Sequence, residues 1–572
     1  MIIKMKRMAF FCFFMMAVLL LYVYVNPVFA SGGAIDLDKL YGPRVDRLCM
    51  FIIANPDSQV LAVETGEIDI LGDISRPSDV ERLARRPDLE LSLARGFHAF
   101  FLLMNNRSKP WKDARVRSAA AQAVDRGGIV RMIFSGYSEP INTWLPPVSP
   151  WAAADHGQNR FNLIEARRLL EGAGYTWNLS GRLIAPDGAP VEKIKLLTPL
   201  ARVAPTTYEL AERVADSLSA VGFPVEVEPL DFSTMSSRLG RGDYSLAVLA
   251  WSMGHSPTSL YSFYHSSGIV EGGYNMTGTS DAELDGWLHA LKFAPDRESA
   301  ELASAEAQKL LERIVPSVPV YSRFSIAAAS KKWKNVLTTP GMTADNFWTI
   351  LAAEPRDGSS QTLNMLLAEE PRNLNPLVAS SVYSWQVLGL IYETLVGTDP
   401  WTLENSPSLA RSWEVTKETV RGIERTVLDF HLRDDVFWND GEAFTASDVA
   451  ATIEFIRDKK PPRFFDSAKN VETVEVRGDY HLTVYMNNVS YWQLNEIGGL
   501  PCLPKHVLDR ITDWQTWDPT DISGQGGPYG LVGTGPFMFE EYRAGEYLMM
   551  VKNPRYRLLK NVRESGGEVW NR

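Results

Sequence analysis

His255 and His265 stand ten residues apart in "HSPTSLYSFYH", while Glu369–Glu370 and Asp434–Asp435 are neighbouring carboxylates. Imidazoles hold metals and carboxylates move protons, so these are the first groups to weigh. Zinc and related ions take their ligands from closely spaced pairs or helical repeats. A ten-residue gap from loop to helix does not fit that pattern, and the eight histidines do not cluster at metal-ligand spacing. Adjacent acidic pairs are most simply solvated surface charges. "GTGP" at 533–536 lacks the third glycine and the strand-to-helix context of a dinucleotide loop. H-E-x-x-H, Walker A, G-x-S-x-G and C-x-x-C are all absent. The residues therefore point to no catalytic group, no resident metal and no cofactor, and nothing positive supports a hydrolase.

The elements that would position any binding group are easier to read. With 572 residues, 45% of them hydrophobic and 22% charged, the chain can bury several cores. Residues 31–95 alternate helices and strands: "VDRLCMFII" reads as a strand, "PDSQVLAVET" as a helix stopped at Gly66, and Ile68–Leu71 as a strand. Residues 96–320 continue the alternation. "FHAFFLLMN", "KIKLLTP", "FPVEVEPL" and "YSLAVLAW" are strands. "KDARVRSAAAQAVDRGGIVRMIF", "NLIEARRLLEGAGY", "TTYELAERVADSLSAVG", "SDAELDGWLHALKF" and "RESAELASAEAQKLLERIV" are helices. This pattern predicts an α/β fold with a parallel or mixed sheet. Residues 353–362, "AEPRDGSSQT", read as a linker. Beyond it, "RTVLDFHLR", "VETVEVRG" and "YHLTVYMN" make a β-rich region with a helix at "TASDVAATIEFIRD", and "FMFEEYRAGEYLMMVKN" a closing hairpin.

The first 30 residues read as a secretory signal peptide: Lys4, Lys6 and Arg7, an apolar run from Met8 to about Val25, and Val28-Phe29-Ala30 before cleavage. An uncleaved anchor is the alternative, since the apolar run is long. Removing them takes three cations and lowers the net charge from −11 to −14. An acidic chain argues against nucleic acid or an anionic membrane as partner. Cys49 and Cys502 remain, either as one disulfide or, more simply, as two buried thiols, because nothing resembles a disulfide framework.

"GEIDI" (66–70), "ARVRSAAAQAVDR" (114–126), "ARRLLEGAGY" (166–175) and "GDYSLAVLAW" (242–251) resemble the latter half of the family-5 extracellular solute-binding proteins. These serve ABC importers of dipeptides, oligopeptides, nickel chelates and some oligosaccharides. "SLARSWEV" (408–415), "FHLRDDVFWNDGEAFTASDVA" (430–450) and "VGTGPFMFEEYRAGEYLMMVKNPRY" (532–556) resemble the first half. The order is inverted, as in a circular permutation: "QTLNMLLAEEPRNLNPLVAS" (361–380) looks like the family's first strand and loop.

The resemblance implies a two-lobed periplasmic-binding-protein-like fold (type II, cluster C) in permuted order, with an extra β-rich accessory domain. Lobe I would be residues 31–95, 321–395 and 525–572; the second ligand lobe 96–320; the accessory lobe 396–524. Hinge crossings fall near 95–100 and 318–324. The implied partner is an ABC permease in the inner membrane, the location periplasmic, and the state a monomer, with a domain-swapped dimer as the alternative.

Three stretches are implied to line the cleft. The first, "SSVYSWQ", includes Ser381, Val382, Tyr383 and Trp385, with lobe packing as the competing role of the two rings. The second is "AWSMGHSP", with Trp251, Ser252, Met253 and His255. Gly254 stands where the family's peptide binders carry an Asp for the ligand's α-ammonium, which puts α-amino anchoring in doubt. The third is "TPLARVAP", whose Arg202 matches an arginine that grips a ligand carboxylate and whose plainer role is a surface residue at a helix start. Asn275 and Tyr261 are weaker candidates. The ligand is expected to be peptide-like, with a saccharide or opine-type conjugate, or a secreted sensor or hydrolase on the same scaffold, as alternatives.

Overall fold

The computed structural model describes residues 41–154, 157–254, 256–358, 361–521 and 530–559. The signal segment, His255 and part of the 353–362 linker lie outside them. Among the described residues no helix is long and apolar enough to cross a membrane.

An 11-stranded mixed sheet runs through most of the molecule. Its strands follow the order Phe537–Arg543, Tyr547–Lys552, Arg47–Ile52, Thr362–Leu367, Ile70–Leu71, Ser317–Ser330, Leu89–Met104, Leu246–Ser252, Ile194–Pro199 and Val225–Leu230, with Ser138–Pro140 beside Ser317–Ser330. Thr362–Leu367 lies parallel between Arg47–Ile52 and Ile70–Leu71. The first strand-like stretch after the linker thus completes the sheet begun at residue 47 instead of founding a separate domain. Within "GEIDI", Asp69 is fully buried; it accepts from the Asn364 backbone N–H at 2.9 Å and pairs with Lys332. The motif thereby ties this strand junction together.

Two long strands, Leu89–Met104 and Ser317–Ser330, pair with each other along nearly their whole length and join the sheet's two halves. The strand read at "FHAFFLLMN" begins earlier, at Leu89, and runs unbroken to Met104. Apolar side chains of the first half form cores around Leu48, Met50, Leu363 and Leu548 on one face and Val63, Ile68, Leu83 and Ile326 on the other. The second half has its own pair of cores, around Leu102, Val116 and Leu196 and around Phe101, Leu197 and Leu288.

A second, four-stranded antiparallel sheet contains Ala410–Val420, Ile423–Leu432, His481–Met486 and Val471–Gly478, with the helix Ala446–Lys459 packed on it through Val449, Ile453 and Ile456. Thr445 and Asp448 form a reciprocal capping box at that helix's start. Leu503, Val507, Leu508 and Trp517 pack in the core of the large sheet and not with this smaller one.

Most predicted helices form where the pattern places them. The stretch 112–134 is two helices, Ala114–Ala123 and Arg126–Phe134, because Asp125 caps a new start by accepting from the Gly128 N–H at 2.9 Å. Arg126, buried, donates to Pro319 O at 2.7 Å and so fixes this helix to a joining strand. The helix Phe232–Arg241 is additional to the sequence reading, its serine- and threonine-rich start disguising it. Cys49 and Cys502 are both free and buried, in agreement with two thiols and no disulfide.

Candidate functional site

Strand direction decides where a ligand can sit. Thr362–Leu367 is parallel to both Arg47–Ile52 and Ile70–Leu71, so Ile52, Leu71 and Leu367 end on one edge of their half-sheet. Ile70–Leu71 runs antiparallel to Ser317–Ser330 with Leu71 opposite Ala328, so that edge faces residues 323–326. In the other half, Ile194–Pro199 is parallel to Val225–Leu230 and Leu246–Ser252, and Ser252 lies opposite His98 on Leu89–Met104. The C-terminal strand ends of both halves therefore face the same short crossing. Loops at the carboxyl ends of strands are where open α/β sheets bind ligands.

The crossing itself is irregular. Pairing shifts register between Pro319 and Tyr321 and again between Ser322 and Phe324, leaving residues 96–98 without a register partner on Ser317–Ser330. Ser322 Oγ donates to the carbonyls of Gly96 and His98 at 3.3 and 3.2 Å. A Cβ on Gly96 would stand 2.5 Å from Arg323 O, so only glycine fits without displacing the second strand. Bulges of this kind bend a strand pair locally and re-aim side chains.

The polar groups converge there. Arg323 pairs with Asp73, which follows Gly72 at the end of Ile70–Leu71 and has a left-handed backbone with φ 52°. His98 is half-buried; burial first, and then the Arg323 charge, push its imidazole below the ordinary range, while Asp73 acts in the opposite direction. Arg95 pairs with Glu139 at 3.2 Å, and burial raises that carboxyl. Asp345 accepts from Thr343 Oγ1 at 2.8 Å, and burial raises its carboxyl as well, with Asp73 adding in the same direction. Burial raises the phenol of Tyr383, and the charges of Glu369 and Asp73 raise it further. The result is a polar group of two guanidiniums, one imidazole and several carboxylates around the crossing, with the carboxyls of Glu139 and Asp345 drawn out of water.

The expected site residues divide among several settings. Ser252 lies at this crossing, opposite His98, while Tyr383 packs against the core of the first half-sheet, its phenol feeling the Asp73 charge. Trp251 is adjacent, opposite Ala99; its ring stacks on Phe263 at 4.2 Å and 7° and tilts against Phe101. Met253 is buried in the core, with its N–H donating to Phe97 O at 2.9 Å. Ser381 caps the helix Val382–Leu388, and Val382 is exposed. Trp385 does not join the group. Its Nε1 donates to Ala379 O at 2.7 Å, Arg463 lies 4.7 Å over the ring and Phe464 meets it edge-on, so it packs toward the small sheet. Asn275 is buried and satisfied within its own loop, donating to His265 O and Thr279 O and accepting from Thr277 Oγ1. Tyr261 stacks on His265 at 4.3 Å. Arg202 is exposed in the turn before the helix Pro205–Ser219, on the same edge as Ser252. His255 lies outside the described residues.

Sequence reasoning did not single out Asp73, His98 or Arg323. A signal existed: Arg323 is the one charged residue in "SVPVYSRFSIAAAS", an otherwise apolar or small-residue strand.

Residues 38–271 and 404–569 match the bacterial extracellular solute-binding proteins, family 5 Middle, and the chain belongs to that family. It is similar to heme-binding protein A of Haemophilus influenzae, 22% identical over 300 residues, with 52% of each chain covered. Di/tripeptide-binding protein 1 of Pseudomonas aeruginosa is 22% identical over 279 residues, covering 48% of this chain and 49% of that one. Among solved structures, the periplasmic binding protein DppA from Helicobacter pylori in complex with the peptide STSA is 21% identical, with a TM-score of 0.45 over 53% of this chain and 56% of that one. The chain thus spans about half the length of the curated relatives it matches.

Proposed function

We propose that this chain is a periplasmic solute-binding protein that encloses a small polar or peptide-like ligand between two lobes and delivers it to an ABC importer. The carrying observation is the convergence of the C-terminal strand ends of both half-sheets on one two-strand crossing, where Arg323 pairs with Asp73 and His98 lies opposite Ser252. Two strands interrupted by bulges form a hinge that can bend while the cores on either side stay intact. Of the described residues, those within 41–95, 321–395, 503–521 and 530–559 make up one lobe, those within 96–320 the other, and 396–502 an accessory lobe, the stretch 503–517 going with the large sheet because Leu503, Val507, Leu508 and Trp517 pack in its core. Arg202, Trp251 and Tyr383 close on the ligand from the two sides, and the permease reads the closed form. The family's binding role supports the carrier reading.

Gly254 favours a ligand without a free α-ammonium. A Cβ there meets nothing within 4 Å, so the position is open space with no carboxylate of its own. This keeps the saccharide or opine-type reading as the second one.

The segment order is a circular permutation of the family's. Supporting this, Arg44 N–H donates to Leu351 O at 3.2 Å, and Tyr556 packs with Leu351 and Ala352, so residues near 44 and 556 meet on the helix Phe347–Ala352. Residues 354–355 pair with 333–334 before the chain returns to Thr362. Half-length matches are also what a permuted chain gives when aligned in order.

Thermal-shift screening tests the ligand class. A ligand at a hundredfold excess over its Kd stabilises by about 2.7 kcal/mol. Peptide-like compounds are expected to raise Tm; stabilisation by sugars or opines alone would move the reading to the alternative, and turnover of the ligand would overturn the carrier role.

A further inference from the structure

The outer face of the four-stranded sheet carries a second polar cluster, remote from the hinge in the fold. On Ile423–Leu432, the side chains of Leu428, Phe430 and Leu432 enter the core, so Asp429 and His431 point outward. His481 lies directly opposite His431 on the neighbouring strand, and Thr483 opposite Asp429. The two imidazoles stack with centroids 4.5 Å apart and planes 22° from parallel. Both Nε2 atoms approach the same oxygen of Asp429: His481 at 2.7 Å and His431 at 3.5 Å. One donor atom from each of the three residues lies within 4.8 Å of the others.

We propose that Asp429, His431 and His481 form a surface site for one divalent late transition-metal ion, with Zn²⁺ as its probe. Zinc binds imidazole nitrogen and carboxylate oxygen at about 2.0–2.2 Å, which sets tetrahedral ligands about 3.3–3.5 Å apart. The observed separations reach that spacing through side-chain rotation alone, because the two strands hold the Cα positions. Two nitrogens and one oxygen are the donor set of zinc, nickel and copper, whereas calcium and magnesium take oxygen alone. Thr483 Oγ1 donates to the other oxygen of Asp429 at 2.8 Å, which orients the carboxylate as supporting hydrogen bonds do around metals. Glu414, exposed and opposite Asp429 on the remaining neighbouring strand, or water, completes the coordination. The site does not depend on the carrier reading, since it shares no residue with the hinge.

The test is calorimetric titration of Zn²⁺ into the untagged, metal-stripped full chain. One Zn²⁺ per chain with micromolar affinity is expected. H431A and H481A should each weaken it at least about tenfold, and D429N similarly, while H506A leaves it unchanged. The cluster is on the surface, so these variants should keep the wild-type circular dichroism. Cobalt(II) should give ligand-field bands with the wild type and not with H481A. Absence of saturable Zn²⁺ binding would overturn the proposal and leave an ordinary histidine–aspartate surface contact, and so would wild-type affinity in both H431A and H481A. T483V, which keeps all three donors, should weaken binding less than H481A does; the reverse order would also contradict the assignment.

Discussion

Replacing Arg323 with alanine separates a binding role from a structural one. The guanidinium pairs with Asp73, but the Asp73 side chain is 73% exposed and that of Arg323 is 21% exposed, so water screens the pair. Pairs of this kind contribute about 0.2–1 kcal/mol. Loss of the pair should therefore lower Tm by no more than about 2–4 °C. Binding should respond very differently. Truncating one partner of a charge-assisted contact that becomes enclosed costs about 2–5 kcal/mol, which at 1.4 kcal/mol per decade is a loss of about 30-fold to several thousandfold in affinity. A third consequence follows from His98, whose imidazole is pushed down by burial and by the Arg323 charge. Without that charge its pKa should rise, still held down by burial. Isothermal titration with the ligand recovered from the protein, a melting curve and the NMR titration of His98 read the three effects. An affinity within twofold of wild type, with His98 unmoved, would refute the placement of Arg323 at the site.

Because His98 has a folded pKa below its unfolded value, its contribution to stability is complete above about pH 6.5 and falls as the pH drops below that; H98Q should flatten the stability curve between pH 5 and about 6.5 in denaturant titrations. G254D restores a carboxylate in open space, so it should raise affinity for dipeptides with a free N-terminus, and equal dipeptide binding in both proteins would count against the reading of Gly254. G96V places a Cβ 2.5 Å from Arg323 O; overpacking of this kind costs about 1–3 kcal/mol, which should appear as a lower denaturation midpoint together with weaker ligand binding. Burial raises the Cys49 thiol to about 11 and raises that of Cys502 too, so neither should react with a thiol reagent at pH 8 until the protein unfolds; prompt labelling would contradict the burial of both.

The fold was legible in the sequence wherever local pattern sufficed. "VDRLCMFII", "KIKLLTP" and "FHLRDDVFWNDGEAFTASDVA" carry alternation, turn residues and capping signals that require no distant partner. Gly66 shows the same: its φ of 78° closes a helix where the sequence placed the stop. What was not legible depends on pairing between remote strands. His431 and His481 are fifty positions apart in sequence and meet because their strands pair antiparallel, so a search for close metal-ligand spacing passes over them. Asp73 and Arg323 likewise come together only through the joining strands. Trp385 and Asn275 show the converse: residue type and motif position suggested a ligand role, while the contacts they make, with Arg463, Phe464 and the 275–279 loop, depend on packing that a sequence does not display.

Native mass spectrometry of the chain released under non-denaturing conditions tests the carrier role most directly. The account predicts one non-covalently bound small molecule per chain in the wild type, with occupancy sharply reduced in R323A and in Y383A. A bare chain mass under every non-denaturing condition, or wild-type occupancy in both variants, would contradict it.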